Sequence, residues 1–276
     1  MSGICGWIGH GHGAAENRAL IEAMAAPLAR FDGSAVQALA GNASALALAA
    51  GVDCAHSLQR DGVAIALWGD VRLRDAARRE QAAAEGMGAA LLSLWKQGAE
   101  ALCNGLVGAF ALAVVDEREG EALLAIDRMG THPLAWQLAG ETLVFGSSAD
   151  SLVRHPLTPA KLDPQGLYNY VYFHMVPAPG TVYQGQQRLL PGTYLRYRQG
   201  RIEQQTYWRM QFQENGKRPF AELKDEFREV LRSSVRDACG SQPVGAFLSG
   251  GTDSSTLAGI LCEVGGKPAK TYSIGF

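Results

Sequence analysis

Apolar and polar positions along this chain follow two rhythms. Over roughly the first two hundred residues short apolar runs dominate. Ser2–Gly9, Ala45–Val52, Val63–Val71, Ala109–Val115, Ala122–Asp127 and Thr142–Phe145 have strand length and mostly end at Gly or Asp, which predicts strands. Two stretches instead repeat apolar residues at helical spacing, Ala14–Arg30 and Arg74–Lys96, the second poorly patterned at Gly86 and Gly88. Leu189–Tyr197 and Arg201–Trp208 read as a hairpin introduced by a Pro191-Gly192 turn.

The rhythm changes after Met210–Arg218, a polar stretch with an Asn-Gly pair that reads as a linker. Pro219 suits a first helical position, where its missing N–H costs nothing. Phe220, Leu223, Phe227, Val230, Leu231 and Val235 then share one face, predicting an amphipathic helix over Pro219–Ala238. A strand (Val244–Leu248), a Gly/Ser loop, a helix (Ser255–Val264), a Gly265-Gly266 stop and a strand (Thr271–Ile274) follow. Helix, strand, loop, helix and strand in that order open a parallel α/β domain, of which only the start is expected here. The boundaries predicted are 1–208, a linker over 209–218, and 219–276.

A length of 276 residues fits about two domains. Hydrophobic content of 47% and charged content of 19% are those of a soluble globular protein. A formal charge of -2 without a Lys/Arg block argues against nucleic-acid and acidic-membrane partners, which need a concentrated basic surface. The five cysteines are scattered and form no CxxC pair, so zinc-ribbon and thioredoxin readings fail and a reduced setting is expected. No secretory signal is present, and the longest apolar run, Leu106 to Val115, is too short to span a bilayer. A cytoplasmic protein is expected.

The chemistry concentrates in Ser249-Gly250-Gly251-Thr252-Asp253-Ser254-Ser255, placed between a predicted strand and a predicted helix. Adjacent glycines allow positive φ, so successive N–H groups can point into one concavity, and the helix adds partial positive charge at its N-terminus. Hydroxyls of Ser249, Ser254 and Ser255 can donate further hydrogen bonds or cap the helix. The Gly-Lys-Ser/Thr ending of a Walker A loop is absent. Asp253 makes sense beside a phosphate nest if Mg²⁺ bridges carboxylate and phosphate. Read from the loop alone, a tight Gly-Gly turn with Asp253 as helix cap accounts for the same letters.

The run from Phe247 to Ser255 resembles the SGGxDS pyrophosphate loop of the ATP-pyrophosphatase superfamily, in its asparagine-synthetase branch. Thr271-Tyr272-Ser273-Ile274-Gly275-Phe276 resembles that branch's second strand. Three more segments match in order: Asp127-Arg128-Met129-Gly130-Thr131-His132-Pro133-Leu134, followed by Val144–Ser148; then Val176–Thr181; then Leu190–Leu195. The resemblance implies an α/β fold, an N-terminal-nucleophile αββα sandwich followed by the start of a doubly wound parallel-sheet ATP-pyrophosphatase domain. It implies ATP and Mg²⁺ as cofactors, and activation of a carboxylate as an acyl-adenylate that an amine then attacks. Ser249, Gly250, Gly251, Asp253 and Ser254 would hold pyrophosphate, with Asp253 on the metal, and Leu248 and Ile274 would meet the adenosine.

Relatives of this kind open with a glutaminase whose first mature residue is a nucleophilic cysteine. Here the chain opens Met1-Ser2-Gly3-Ile4-Cys5, which puts Ser2 at the nucleophile position and makes Cys5 a core thiol. The family's Arg-Gly-Pro-Asp is here Arg30-Phe31-Asp32-Gly33, and the His-Arg-Arg segment has no counterpart in Leu46–Cys54. The oxyanion-hole Asn-Gly stands as Trp68-Gly69, and the aspartate that grips the substrate amine aligns with Gly86. The glutaminase is therefore expected to be inactive, as in β-lactam-forming synthetases and lasso-peptide cyclases, where the substrate supplies the amine.

Gly9-His10-Gly11-His12-Gly13 lacks a nearby carboxylate or further His and reads as a solvated loop rather than a metal site. His132, His155 and His174 are expected to lack partners. The expected function is ATP-dependent adenylation of a small-molecule or peptide carboxylate and amide formation, with amine from ammonia or the substrate itself and a homodimer left open. Two alternatives stand beside it: a glutamine-hydrolysing asparagine synthetase with intact amidotransfer, and a non-catalytic or dimerising remnant.

Overall fold

The structure is a computed structural model that describes residues 2–11, 13–30, 35–51, 54–214, 216, 218–239 and 244–275. Of the segments singled out above, Met1, His12, Phe31–Gly33, Val52, Asp53, Asn215, Lys217 and Phe276 lie outside the described residues. The chain divides into two compact units, Met1–Met210 and Gln211–Phe276.

The first unit carries two six-stranded antiparallel sheets. The first contains β1 (Gly3–Ile8), β2 (Val36–Ala40), β3 (Ser44–Ala49), β8 (Ala135–Ala139), β9 (Thr142–Gly146) and β10 (Gln187–Arg188), in the order β10-β8-β9-β1-β3-β2. The second contains β4 (Ala55–Arg60), β5 (Val63–Leu73), β6 (Leu106–Asp116), β7 (Glu121–Ile126), β11 (Thr193–Arg198) and β12 (Arg201–Thr206), in the order β12-β11-β7-β6-β5-β4.

Side-chain alternation decides which residues fill which layer. Ile4 and Ile8 of β1, Leu46 and Leu48 of β3, Phe145 of β9, and Ala111, Ala113 and Val115 of β6 meet between the sheets. The opposite faces of β1 and β3 present Cys5, Trp7, Ala45, Ala47 and Ala49 to helix α1 (Ala14–Ala29). The small alanines there let α1 bring Ile21, Met24, Ala25 and Leu28 close. Helices α2 (Ala76–Glu85), α3 (Met87–Trp95) and α4 (Ala99–Asn104) cover the outer face of the second sheet through Ala90, Leu91, Leu94 and Leu102. This gives the αββα sandwich.

Several elements depart from the sequence expectation. Arg74–Lys96 is two helices, because Gly86 adopts φ 90°, which a continuing helix cannot accommodate, and Asp75 rather than Arg74 starts the first, its Oδ1 accepting from Ala77 N at 2.8 Å. Strands β2 and β4 were unmarked by apolar runs because they are sheet edges, half-exposed along their length. Two further helices, α5 (Ala149–Leu152) and α6 (Pro164–Phe173), lie in stretches for which the sequence pattern predicted no element.

The second unit has α7 (Phe220–Cys239), β13 (Gly245–Phe247), α8 (Thr252–Gly265) and β14 (Lys270–Tyr272). The strands pair in parallel, with Gly245 opposite Lys270 and Phe247 opposite Tyr272. Helix α8 begins three residues earlier than the pattern suggested, so Asp253 and Ser254 belong to its first turn and not to a loop.

Candidate functional site

At the head of β1, Ile4 N donates to Ser147 Oγ at 3.1 Å and Ser147 N donates to Ile4 O at 2.8 Å. Ser2 lies two residues before Ile4 of this pair. Continuing the alternation of Ile4 and Ile8 one step back puts Ser2 toward the space between the sheets. Trp68 of β5 packs into that same space, with Ala55 and Ala111 opposite it in the neighbouring strands, small residues that leave room for an indole. His132 lies flat on Trp68, ring centroids 4.0 Å apart and planes 14° from parallel.

His132 is held there by Asp127. This buried carboxylate accepts from Phe110 N (3.2 Å) and His132 N (3.2 Å) on one oxygen, and from Met129 N (2.9 Å), Thr131 N (3.2 Å) and Thr131 Oγ1 (3.3 Å) on the other. Burial lowers the His132 pKa, against the opposing pull of Asp127 and the Thr131 backbone, so the stacked ring favours its neutral form.

The expectation that His132 and His155 lack partners is thus wrong. His155 is buried and packs against Trp7 (5.1 Å) and His10 (5.4 Å). Its Nδ1 accepts from Leu157 N at 3.3 Å, and burial, reinforced by His10, pushes its pKa down to about 4. His10 stays in the loop between β1 and α1 but is half-buried there, and its carbonyl accepts from Trp7 Nε1 at 2.6 Å. His174 ends α6 in a left-handed conformation. No sequence signal pointed to the His155 contacts, because its partners come from the far end of the chain. Among the described residues no three His, Cys, Asp or Glu side chains cluster as a metal site, and no helix is long and apolar enough to cross a membrane.

Other glutaminase positions can be located. Leu46 and Leu48 point from β3 into the inter-sheet core, and its remaining described residues are small, so β3 presents no arginine. Gly86 separates α2 from α3 in the outer helical layer. Cys5 is fully buried beneath α1, and desolvation raises its thiol pKa steeply, against thiolate chemistry.

The second unit gathers the residues expected to form a phosphate loop into one turn. Leu248 N donates to Tyr272 O at 2.8 Å and Ser273 Oγ donates to Leu248 O at 2.6 Å, tying the end of β13 to the segment that leads into Ile274. Gly250 takes φ 86°, a conformation that favours glycine, and nothing within 4 Å would obstruct a Cβ there, so backbone shape alone selects the residue. Ser254 Oγ accepts from Ser249 N (3.2 Å), lies 3.0 Å from Ser249 Oγ and donates to Gly251 O (3.2 Å), so it braces the turn. Gly251 is the N-cap of α8, without a side-chain cap bond. Asp253, exposed in the first turn, makes no hydrogen bond or ion pair with the described residues, which removes the capping account. The N–H groups of this first turn have no partners within the helix.

Two family patterns match the chain: "Glutamine amidotransferase domain" over residues 65–208, just over half its length, and "Asparagine synthase" over 226–276. The chain belongs to the asparagine synthetase family. The first match takes in Trp68, Asp127 and His132, and the second takes in the turn from Leu248 to Ser254. Among curated proteins, this asparagine synthetase family member is 29% identical to glutamine-hydrolyzing asparagine synthetase 3 of Bacillus subtilis over 177 residues, 62% of this chain and 29% of that protein. It is 28% identical to asparagine synthetase 1 of the same organism, over 67% of this chain and 29% of that one. The amidase chry2 of Gibberella zeae is 27% identical over 63% of this chain and 26% of its own. The chain thus spans under a third of the length of these relatives. A solved glutamine phosphoribosylpyrophosphate amidotransferase of Bacillus subtilis aligns with 98% of this chain and 65% of its own at 16% identity and a TM-score of 0.45.

Proposed function

We propose that this protein takes part in ATP-dependent activation of a small-molecule or peptide carboxylate and formation of an amide, with an amine that its own amidotransferase domain does not generate. The observation that carries the ATP half is the turn from Ser249 to Ser254. It combines a positive-φ glycine, the first-turn N–H groups of a 14-residue helix, which have no partners within the helix, and a carboxylate with no partner among the described residues. An uncompensated carboxylate beside a nest of N–H groups suits a divalent cation that shares phosphate oxygens. Ser249, Gly250, Gly251 and the first turn of α8 would hold the phosphates, Asp253 the Mg²⁺, and Leu248 and Ile274 the adenosine. Bound ATP would supply the adenylyl group that activates the carboxylate. The chain's own work is to bind and orient the phosphates while Ser254 keeps the turn in shape.

Asp253→Asn tests this reading. The side chain is exposed and bonds to nothing described, so the substitution should change stability by less than about 1 kcal/mol, the size of a helix-terminus charge effect. ATP affinity measured by equilibrium dialysis with and without Mg²⁺ should lose most of its Mg²⁺ dependence. Unchanged Mg²⁺-dependent binding would return Asp253 to a structural role.

The amine half rests on Trp68. An indole stacked on His132 cannot present the short amide donor of an oxyanion hole, and one such donor is worth about 2.7–4 kcal/mol in the transition state. The neighbouring Gly69 has no space for a side chain, since a Cβ would overlap Ala109 O, so no side-chain donor can stand there in place of the lost amide. Amine from ammonia or from the carboxylate substrate itself accords with this arrangement better than glutamine hydrolysis does.

A further inference from the structure

In a parallel pair the rungs are evenly spaced, and each residue that bonds across does so to both neighbours of its opposite number. Leu248 N donates to Tyr272 O at 2.8 Å, one rung past the last paired residues, Phe247 and Tyr272. The rung that should follow is Ile274 N onto Leu248 O, and it is not made. Ser273 Oγ donates to Leu248 O at 2.6 Å instead. A serine hydroxyl that bonds a main-chain carbonyl in this way competes directly with the ladder. Two residues past Leu248, Gly250 at φ 86° carries the chain out of the sheet, so no rung follows for Ile274 O. Among the described residues Ile274 makes no hydrogen bond.

A side chain thus stops the ladder one rung early. The N–H and C=O of a strand residue point to the same side, and for Ile274 that is the side β13 has just left. One donor and one acceptor stand together beyond the strand ends, where open α/β sheets take their ligands. An adenine edge complements that pair, with an acceptor ring nitrogen beside its N6–H₂ donor. We propose, resting on the ATP reading above, that Ser273 is a positioning residue of the nucleotide site. By holding Leu248 O it keeps the N–H and C=O of Ile274 free for the base. Without the hydroxyl, Leu248 O would be an unpaired acceptor opposite an unpaired donor, and main-chain groups so placed pair with each other. The ladder would then gain its missing rung, and a nucleotide would have to break that rung before it could bond Ile274.

The test compares wild type, Ser273→Ala and Ser273→Thr in the full 276-residue chain. Hydrogen exchange of the Ile274 amide is followed by NMR, and equilibrium dialysis measures binding of ATP and of inorganic pyrophosphate, each with Mg²⁺. In wild type the amide should exchange freely and slow when ATP is added, but not with pyrophosphate. In Ser273→Ala it should exchange at least ~3-fold more slowly without nucleotide, because the rung has closed. A merely structural loss would speed exchange instead. ATP should bind this variant roughly 3- to 10-fold more weakly, the worth of one neutral hydrogen bond, while pyrophosphate binding stays as in wild type. Ser273→Thr keeps the hydroxyl and should restore both properties. A protected Ile274 amide in free wild type, faster exchange in Ser273→Ala, equal ATP affinity in all three chains, or a parallel loss of pyrophosphate binding would each overturn the role of Ser273. Wild type that binds neither ATP nor pyrophosphate would overturn the ATP reading itself, and this role with it.

Discussion

Asp127→Asn preserves shape and charges almost nothing to packing, yet it should destabilise the first unit severely. Both carboxylate oxygens are committed: one accepts from Phe110 N and His132 N, the other from Met129 N, Thr131 N and Thr131 Oγ1. An asparagine amide can turn its oxygen to only one of these groups. The other group then faces an NH₂, so at least two N–H donors are opposed by another donor, and Phe110 N lies in the buried interior. Losing two charge-assisted bonds and leaving the donors unsatisfied costs about 3–5 kcal/mol. For a unit of this size that is a fall in melting temperature of roughly 10 °C, readable by scanning calorimetry. Asp127→Ala removes the acceptor without adding opposed donors, so the isosteric change should be no milder than the truncation. An Asn variant melting within about 2 °C of wild type would refute the claim that this carboxylate organises the turn.

Ser2→Cys, alone or with Trp68→Asn, should release no glutamate from glutamine above the uncatalysed control, because β3 presents no arginine and Gly86 no carboxylate; turnover in wild type that Ser2→Ala abolishes would contradict the inactive reading. His155 binds a proton in the unfolded chain near pH 6.5 but resists it in the folded chain until about pH 4, so stability should fall as pH drops through that window and level off below it. The slope should correspond to at most about 3 kcal/mol overall, and urea melts of His155→Phe should show it flattened. Gly86→Ala should cost about 1–2 kcal/mol, since alanine resists the φ that separates α2 from α3, with chemical denaturation as the check.

Most inner strands of the sandwich were legible, although β8, also inside its sheet but only partly buried, was not, and the edge strand β12 was read from its hairpin. Strands β1, β5, β6, β7 and β9 sit inside their sheets, so unbroken or alternating apolar runs betray them. Edge strands β2 and β4 bury too little to leave such a mark, and β10 is only two residues long. Helix α6 escaped notice for a different reason. Its Leu-Tyr-Asn-Tyr-Val-Tyr-Phe run is rich in residues that favour strands, and only the Asp163-Pro164 cap signals a helix. The turn from Ser249 to Ser254 could be read because neighbouring residues in sequence build it. The Trp68–His132 and Trp7–His155 contacts join distant segments, and no local pattern records them.

The seating of β1 has a consequence for biosynthesis. It is an inner strand, flanked by β3 on one side and β9 on the other, and Ile4 meets Ser147 across 143 residues of sequence. β1 therefore leaves the ribosome well before the strand that completes its pairing. At ordinary elongation rates of about 5–20 residues per second, β1 waits roughly 7–30 s with its β9 edge open. During that wait β2, β3 and α1 can gather on one side of it, while an apolar, unpaired edge faces the other. Translation speed between β3 and β9 thus becomes a determinant of soluble yield, independent of how stable the finished sandwich is.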